Sequence, residues 1–355
     1  MKLGLVGTMN NGALDIPLAR YLPDQLRAEL DPGAPALGIP STEQALHLPI
    51  EGRLWFQEAY ATIDGGDVRV RIGRQKFYTG TGYAYNPIDL FNRKNPVDPT
   101  YEIDGLDALL IEAALPAAVH VQGLIVVGPD LASTGIMARG RTSAGGWDLA
   151  AQYSRTRRER VDWQAIDNVQ TLAALALGAP TPTATFDWQL VAGEIAGDVY
   201  GVGVHAEGGW AFVRSVDDPG TLTDADHLRL LVGVDTTTSF GLTLMAEYMH
   251  LGDGATSRHE LGLNQRLAAF TGEVLAADRD TLFVGGSVGL TPMIDTSVYA
   301  IVSLNDTSGV VTPSITVDVT TGAQVRLMAY VPVGSRAGVN GEAGPGAFVR
   351  AKVWF

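Results

Sequence analysis

The sequence predicts an all-β chain: a transmembrane antiparallel β-barrel of about 16 strands, with long external loops and short periplasmic turns. Three observations predict it. Apolar residues recur with a period of two along most of the 355 residues. The alternating runs are about 10–12 residues long, close to the roughly 9–11 that a tilted strand needs to cross a bilayer and longer than the roughly 5–6 usual in soluble sheets. The chain is 46% hydrophobic yet only 18% charged, below the roughly 25% of ordinary soluble domains.

Strands are expected near 50–64, 66–80, 105–115, 117–128, 134–143, 147–157, 185–196, 199–213, 227–236, 239–250, 281–290, 293–304, 309–319, 322–333 and 346–355. Val119, Val121, Ile125 and Val127 oppose His120 and Gln122. Leu228, Leu230, Val232 and Val234 oppose Arg229 and Asp235, and Val311, Ile315 and Val317 oppose Thr312, Ser314 and Asp318. Only an even number of alternating strands closes a barrel antiparallel and removes its edges. These fifteen therefore require an odd number more within 1–49, one rather than three, best placed at "KLGLVGTM". The run 66–80 breaks its alternation, since Arg74 and Lys76 fall on the face of Val68, Val70 and Ile72; either a bulge near Gly73 restores register or the strand rises above the membrane there.

Tight Gly- or Pro-bearing links at 64–67, 143–146, 290–293 and 319–322 alternate with longer ones at 81–104, 158–184, 214–226, 251–280 and 334–345. The links at 129–133 and 305–308 are short external loops, and 10–49 is a long external segment with room for a short helix over "IPLARYLPDQLRAEL". The chain thus reads as one domain, 1–355. A soluble sandwich is the competing fold, but it must bury every apolar strand face in one core, and sixteen strands of this length would overfill it.

A formal net charge of −14 and the lack of a basic face exclude nucleic acid as partner. There is no cysteine. The start "MKLGLVGTMNN" is too short in apolar residues for a secretory leader, so an exported chain is expected in mature form. No nucleophile elbow, phosphate loop or zinc-protease pattern is present, and no enzyme activity is expected. No cofactor and no metal are expected either. His205 and Glu207 lie two apart without a third ligand, and the oxygen-rich "DDPGTLTDAD" lacks EF-hand spacing. The basic run "RTRRER" at 155–160 ends a strand, where it meets surface-lipid phosphates or water.

In a barrel the polar face looks into the lumen. The expected lining carries Glu112, His120, Gln122, Arg139, Arg141, Asp148, Gln152, Asp187, Gln189, His205, Glu207, Arg229, Asp235, Glu247, Asp318, Gln324, Arg326, Arg350 and Lys352. The Pro-rich 81–104 is expected to fold inward and narrow the lumen, with Arg74, Asp89, Arg93, Lys94, Asp98, Glu102 and Asp104 at the constriction.

The stretch "VRIGRQKFYTGTGYAYNPIDLFNRKNPVDP" resembles a family of Gram-negative outer-membrane porin-like barrels, in which a strand ending Gly-Arg-Gln leads through a glycine turn to Asn-Pro-x-Asp-Leu-Phe. Here these are Gly73, Arg74, Gln75, Gly80, Gly82, Asn86, Pro87, Asp89, Leu90 and Phe91. "VHAEGGW" around Glu207, "MAEYMHLGDG" around Glu247 and the terminal "AKVWF" are similar to that family too. Val353 stands where its terminal signal often has Tyr, and Tyr78 or Tyr83 where its glycine turn has Trp. The resemblance implies a channel in the bacterial outer membrane, with outer-membrane lipid around it and small hydrophilic solutes or ions within. A homotrimer, or a partner lipoprotein or electron carrier sheathed by the barrel, are the assemblies it leaves open.

Overall fold

The computed structural model describes residues 2–9, 14–17, 47–50, 54–92, 94, 103, 105–128, 130–161, 183–216, 226–257, 276, 278–334 and 345–353. Eighteen strands are described. They are β1 (Lys2–Met9), β2 (Leu14–Pro17), β3 (His47–Ile50), β4 (Leu54–Asp64), β5 (Val68–Gln75), β6 (Leu106–Leu115), β7 (Val119–Val126), β8 (Gly135–Ala144) and β9 (Trp147–Val161). Then follow β10 (Thr183–Val199), β11 (Val202–Ser215), β12 (His227–Thr237), β13 (Thr243–Leu251), β14 (Asp280–Thr291), β15 (Ile294–Ser303), β16 (Ser308–Thr320), β17 (Ala323–Gly334) and β18 (Gly346–Val353).

Sixteen of them form one sheet in chain order, β1-β4-β5 and onward to β18, while β2 and β3 pair separately. Every described neighbour pair in the large sheet is antiparallel, as an up-and-down barrel requires. The strand at 2–9 takes its place beside β4. The described pairings run from β1 at one end to β18 at the other, and a β18–β1 ladder is not among those of the described residues.

The short turns follow from local chemistry. Gly145 and Gly146 both have positive φ, 61° and 82°, the combination that a two-residue hairpin turn matched to sheet twist demands. Ala117 and Ala118 take the same region at 63° and 57° without glycine, so that hairpin holds a strained backbone.

Pleating divides each strand into two faces. One carries apolar side chains left uncovered: Ile72 at 56%, Val191 at 54%, Val298 at 53% and Leu244 at 45% exposure. The other turns inward, where Leu190, Leu231 and Phe283 are completely buried. Such an uncovered apolar belt around a whole sheet has no soluble counterpart of its size and suits hydrocarbon.

What buries the inner face is the segment after β5. Phe77 joins Ala108, Leu110, Leu124 and Met137 of β6–β8, with Phe91 against them. Ile88 and Leu90 pack on Trp188, Leu190, Ala192, Ala211 and Val213 of β10–β11. Ala84 and Tyr85 pack with Leu231, Met249, Phe283, Tyr299, Ile301 and Val310 of β12–β16. One short stretch touches strands from β6 to β16, so the sheet must curl around it as a barrel wall.

The bulge expected near Gly73 is absent. Register with β4 and with β6 runs without a shift through Gly73. The strand instead stops at Gln75, where the chain leaves the wall; Gln75 is fully buried and donates from Nε2 to the Ala108 carbonyl at 3.0 Å.

Candidate functional site

The site is the lumen and the segment 76–92 that enters it. Asp89 ties the segment to itself: its Oδ1 accepts the amides of Phe91 (2.8 Å) and Asn92 (2.9 Å), and its Oδ2 that of Thr79 (3.0 Å). Burial raises the Asp89 carboxyl to about 6, against the pull of those three amides and of Arg158. Asn92 donates back to the Phe77 carbonyl, closing a compact loop on its own polar groups.

Two wall carboxylates hold the tip. Glu207 of β11 accepts the amides of Thr81 (2.5 Å) and Gly82 (3.3 Å) through Oε2. Glu247 of β13 accepts those of Tyr83 through Oε1 and Ala84 through Oε2, the latter at 2.8 Å. Four successive main-chain donors thus meet two buried acids, bonds that satisfy an otherwise unpaired turn. His205 adds a contact to Glu247 Oε1 at 3.0 Å, and Lys94 donates to the Gly82 carbonyl. Burial lowers the Lys94 ammonium, while Glu247, Glu207 and Asp89 hold it up.

The seat is tight enough to need glycine. Gly80 has φ +97°, and a β-carbon there would meet Glu207 Oε2 at 2.5 Å; one at Gly82 would strike the Tyr85 carbonyl oxygen. The segment is also held from the wall beyond its tip. Gln152 donates to the Ile88 carbonyl at 2.7 Å, Arg229 to that of Pro87 at 3.3 Å, and Arg158 to that of Leu90. Arg229 lies 4.9 Å over the Trp188 ring.

Of the expected constriction residues, Asp89 lies on this segment, and Lys94 reaches its tip by donating to the Gly82 carbonyl. Arg93, Asp98, Glu102 and Asp104 lie outside the described residues. Arg74 sits elsewhere: next to inward Gln75, it takes the outer face of Ile72 and bonds Asp107 at 2.9 Å. Asp187 and Gln189 are corrected in the same way. Their neighbours Trp188 and Leu190 face the segment, so both point outward, where Asp187 is clasped by Arg155 at 2.5 Å and Arg157 at 3.5 Å. The inner wall beneath a packed segment is apolar, and that reverses the polar-inward rule for β10.

The other lining residues face inward in register. Gln122 bonds Glu112 (2.9 Å) and receives Arg139 (3.0 Å), which also pairs with Glu194. Asp235 lies 3.9 Å from His205, Gln324 bonds Asp318 at 2.8 Å, and Arg326 donates to Ser314 at 2.9 Å. Arg350 and Lys352 stand opposite Arg326 and Gln324. Sequence reading missed the anchoring role of Glu207 and Glu247, although both sit in stretches singled out by resemblance. It also missed Glu194 and the inward Arg158. No group of three or more His, Asp or Glu able to hold a metal occurs among the described residues.

Two cavities flank the segment, and another adjoins one of them. One of about 390 Å³ is lined by Thr81 with His120, Arg139, Arg141, Asp148 and Glu194. A second of about 270 Å³ continues it past Glu112, Gln122, Arg69, Asp64 and Asp67. A third of about 480 Å³ lies across the tip, with Tyr83, Asp295, Gln324, Arg326, Arg350 and Lys352 in its wall.

No family model matches the chain, and no curated protein does. Among solved structures it is similar to Salmonella typhi OmpF in complex with daunomycin (15% identity, TM-score 0.42, covering 73% of this chain and 76% of that one). It is similar to Acinetobacter baumannii OccAB4 (8%, 0.44, 85% and 76%) and to Pseudomonas aeruginosa OccK11 (7%, 0.45, 87% and 83%).

Proposed function

We propose that the chain is a passive channel of the bacterial outer membrane, passing small hydrophilic solutes or ions through the hydrated part of its lumen. The observation that carries this reading is the division of one sheet into an uncovered apolar belt and an inner wall bearing charged cavities on both sides of an inward segment. That segment is the constriction, and Asp89 and Lys94, with Arg93, Asp98, Glu102 and Asp104, are the charges assigned to it. The entry of residues 76–92 into the lumen, packed against strands from β6 to β16, favours a channel over a sheath around a partner protein.

Purified protein reconstituted in planar bilayers is expected to give stepwise currents that scale with salt concentration. A chain that assembles as a folded barrel in vesicles yet never conducts would reject the channel. Alanine at Lys94 is expected to change unitary conductance; unchanged currents would reject the constriction.

A further inference from the structure

We propose that Glu194 and Glu207 share a single proton, and that this proton holds the tip of the inward segment against the wall, so that alkaline medium loosens the constriction. The effect on current rests on the channel reading above; the shared proton does not.

Glu194 of β10 and Glu207 of β11 are direct cross-strand partners on the inner face, a pairing that sets β-carbons roughly 4.5–5.5 Å apart. Both are withdrawn from water: Glu207 is 2% exposed and the Glu194 side chain 9%. Each acid has one oxygen engaged. Glu207 Oε2 accepts the amides of Thr81 and Gly82, and Glu194 Oε1 pairs with Arg139. The other two oxygens, Glu207 Oε1 and Glu194 Oε2, are buried and have no hydrogen-bond partner among the described residues. Two ionised carboxylates offer each other only acceptors, and their opposition across a ladder is destabilising. One proton between them turns an acceptor into a donor and serves both oxygens with a single bond. It also balances charge, since Arg139 is the one cation in ion-pair contact with either acid among the described residues.

The surroundings supply no substitute. Glu207 faces Leu231 of β12, and Glu194 faces Ala150 of β9. Lys94 donates to the Gly82 carbonyl and acts on Glu247 and Asp89 as well as Glu207. His205 of β11 contacts Glu247 of β13 at 3.0 Å. Thr81 and Glu194 border the space along β8–β10, with Arg139, Arg141, His120 and Asp148, and that space is the route by which the proton comes and goes. Because the fold binds this proton, its contribution is present at low pH and lost as pH rises. Its loss sets two like charges beneath Thr81 and Gly82, and any shift of Glu207 frees the amides it holds.

Infrared spectra of the protein in vesicles test the proton. A protonated-carboxyl band is expected to persist beyond the titration of Asp89 at about 6, to vanish by about pH 10, and to be missing from both Glu194→Gln and Glu207→Gln. Glutamine keeps the shape and offers a fixed N–H to the facing oxygen, so both variants are expected to hold the tip at every pH. In planar bilayers the open-channel noise of the wild type is expected to grow over the same rise in pH, and that of the variants to stay flat. A wild-type spectrum without such a band overturns the shared proton and needs no variant to fold. A band that survives in both variants overturns its assignment to this pair. Noise that follows calcium chloride or a chelator instead of pH gives the pair to a metal ion and overturns the proposal. A titrating band with steady wild-type current overturns the hold on the tip. Absence of any current from an assembled barrel overturns the channel reading and leaves the band to decide the proton.

Discussion

Asp89 shows at the scale of one residue how burial and function meet. Its carboxyl rises from 3.8 to about 6, first through burial. The fold therefore binds its proton more tightly than the unfolded chain does, and this contribution to stability is greatest at low pH and is lost as pH rises from 3.8 through about 6. Asp89→Asn is expected to remove that pH dependence, worth about 3 kcal/mol, in denaturant unfolding followed from pH 4 to 7; an unchanged slope would show that Asp89 does not titrate there. Gly82 makes the complementary case. Gly82→Ala is expected to cost about 1–3 kcal/mol through overpacking against Tyr85 and Leu231, read as a lower unfolding midpoint with β-sheet circular dichroism retained.

At the scale of elements, Glu207 and Glu247 join β11 and β13 to the segment. With both replaced by alanine, the amides of residues 81–84 lose acceptors worth roughly 0.5–1.5 kcal/mol each. Hydrogen exchange across those amides is expected to speed up at least about tenfold while the wall strands stay protected; equal protection in the variant would remove the acids from that role. The same element level shows what the sequence could convey. Alternation placed the strands because lipid on one side and water on the other impose a period of two. It misjudged β10, since Trp188 and Leu190 face inward to meet Ile88 and Leu90, a contact across more than ninety positions of chain that no local pattern encodes. It misjudged Arg74 similarly, because the departure of the chain after Gln75, not a bulge, explains the broken alternation. The site was legible as a list of inward charges and as a glycine-rich link; the pairing of that link with two particular acids was not.

For the whole molecule, the decisive quantity is what touches the outer belt. Val191→Arg, in the exposed apolar face of β10, is expected to destabilise the barrel in vesicles by about 2–4 kcal/mol if that site lies near the bilayer midplane. Equilibrium unfolding from lipid measures it, and a neutral effect would remove hydrocarbon as the neighbour of that face.

The grip of the two wall acids on successive main-chain amides has a practical corollary. Ala84 is fully buried and Tyr83 packs on Phe283 and Tyr299, but the clasp at Thr81 is made to the main chain, so this half-buried position beside the space along β8–β10 is open to a different side chain. An engineer who keeps the flanking glycines can install new chemistry there without undoing the mount that holds it.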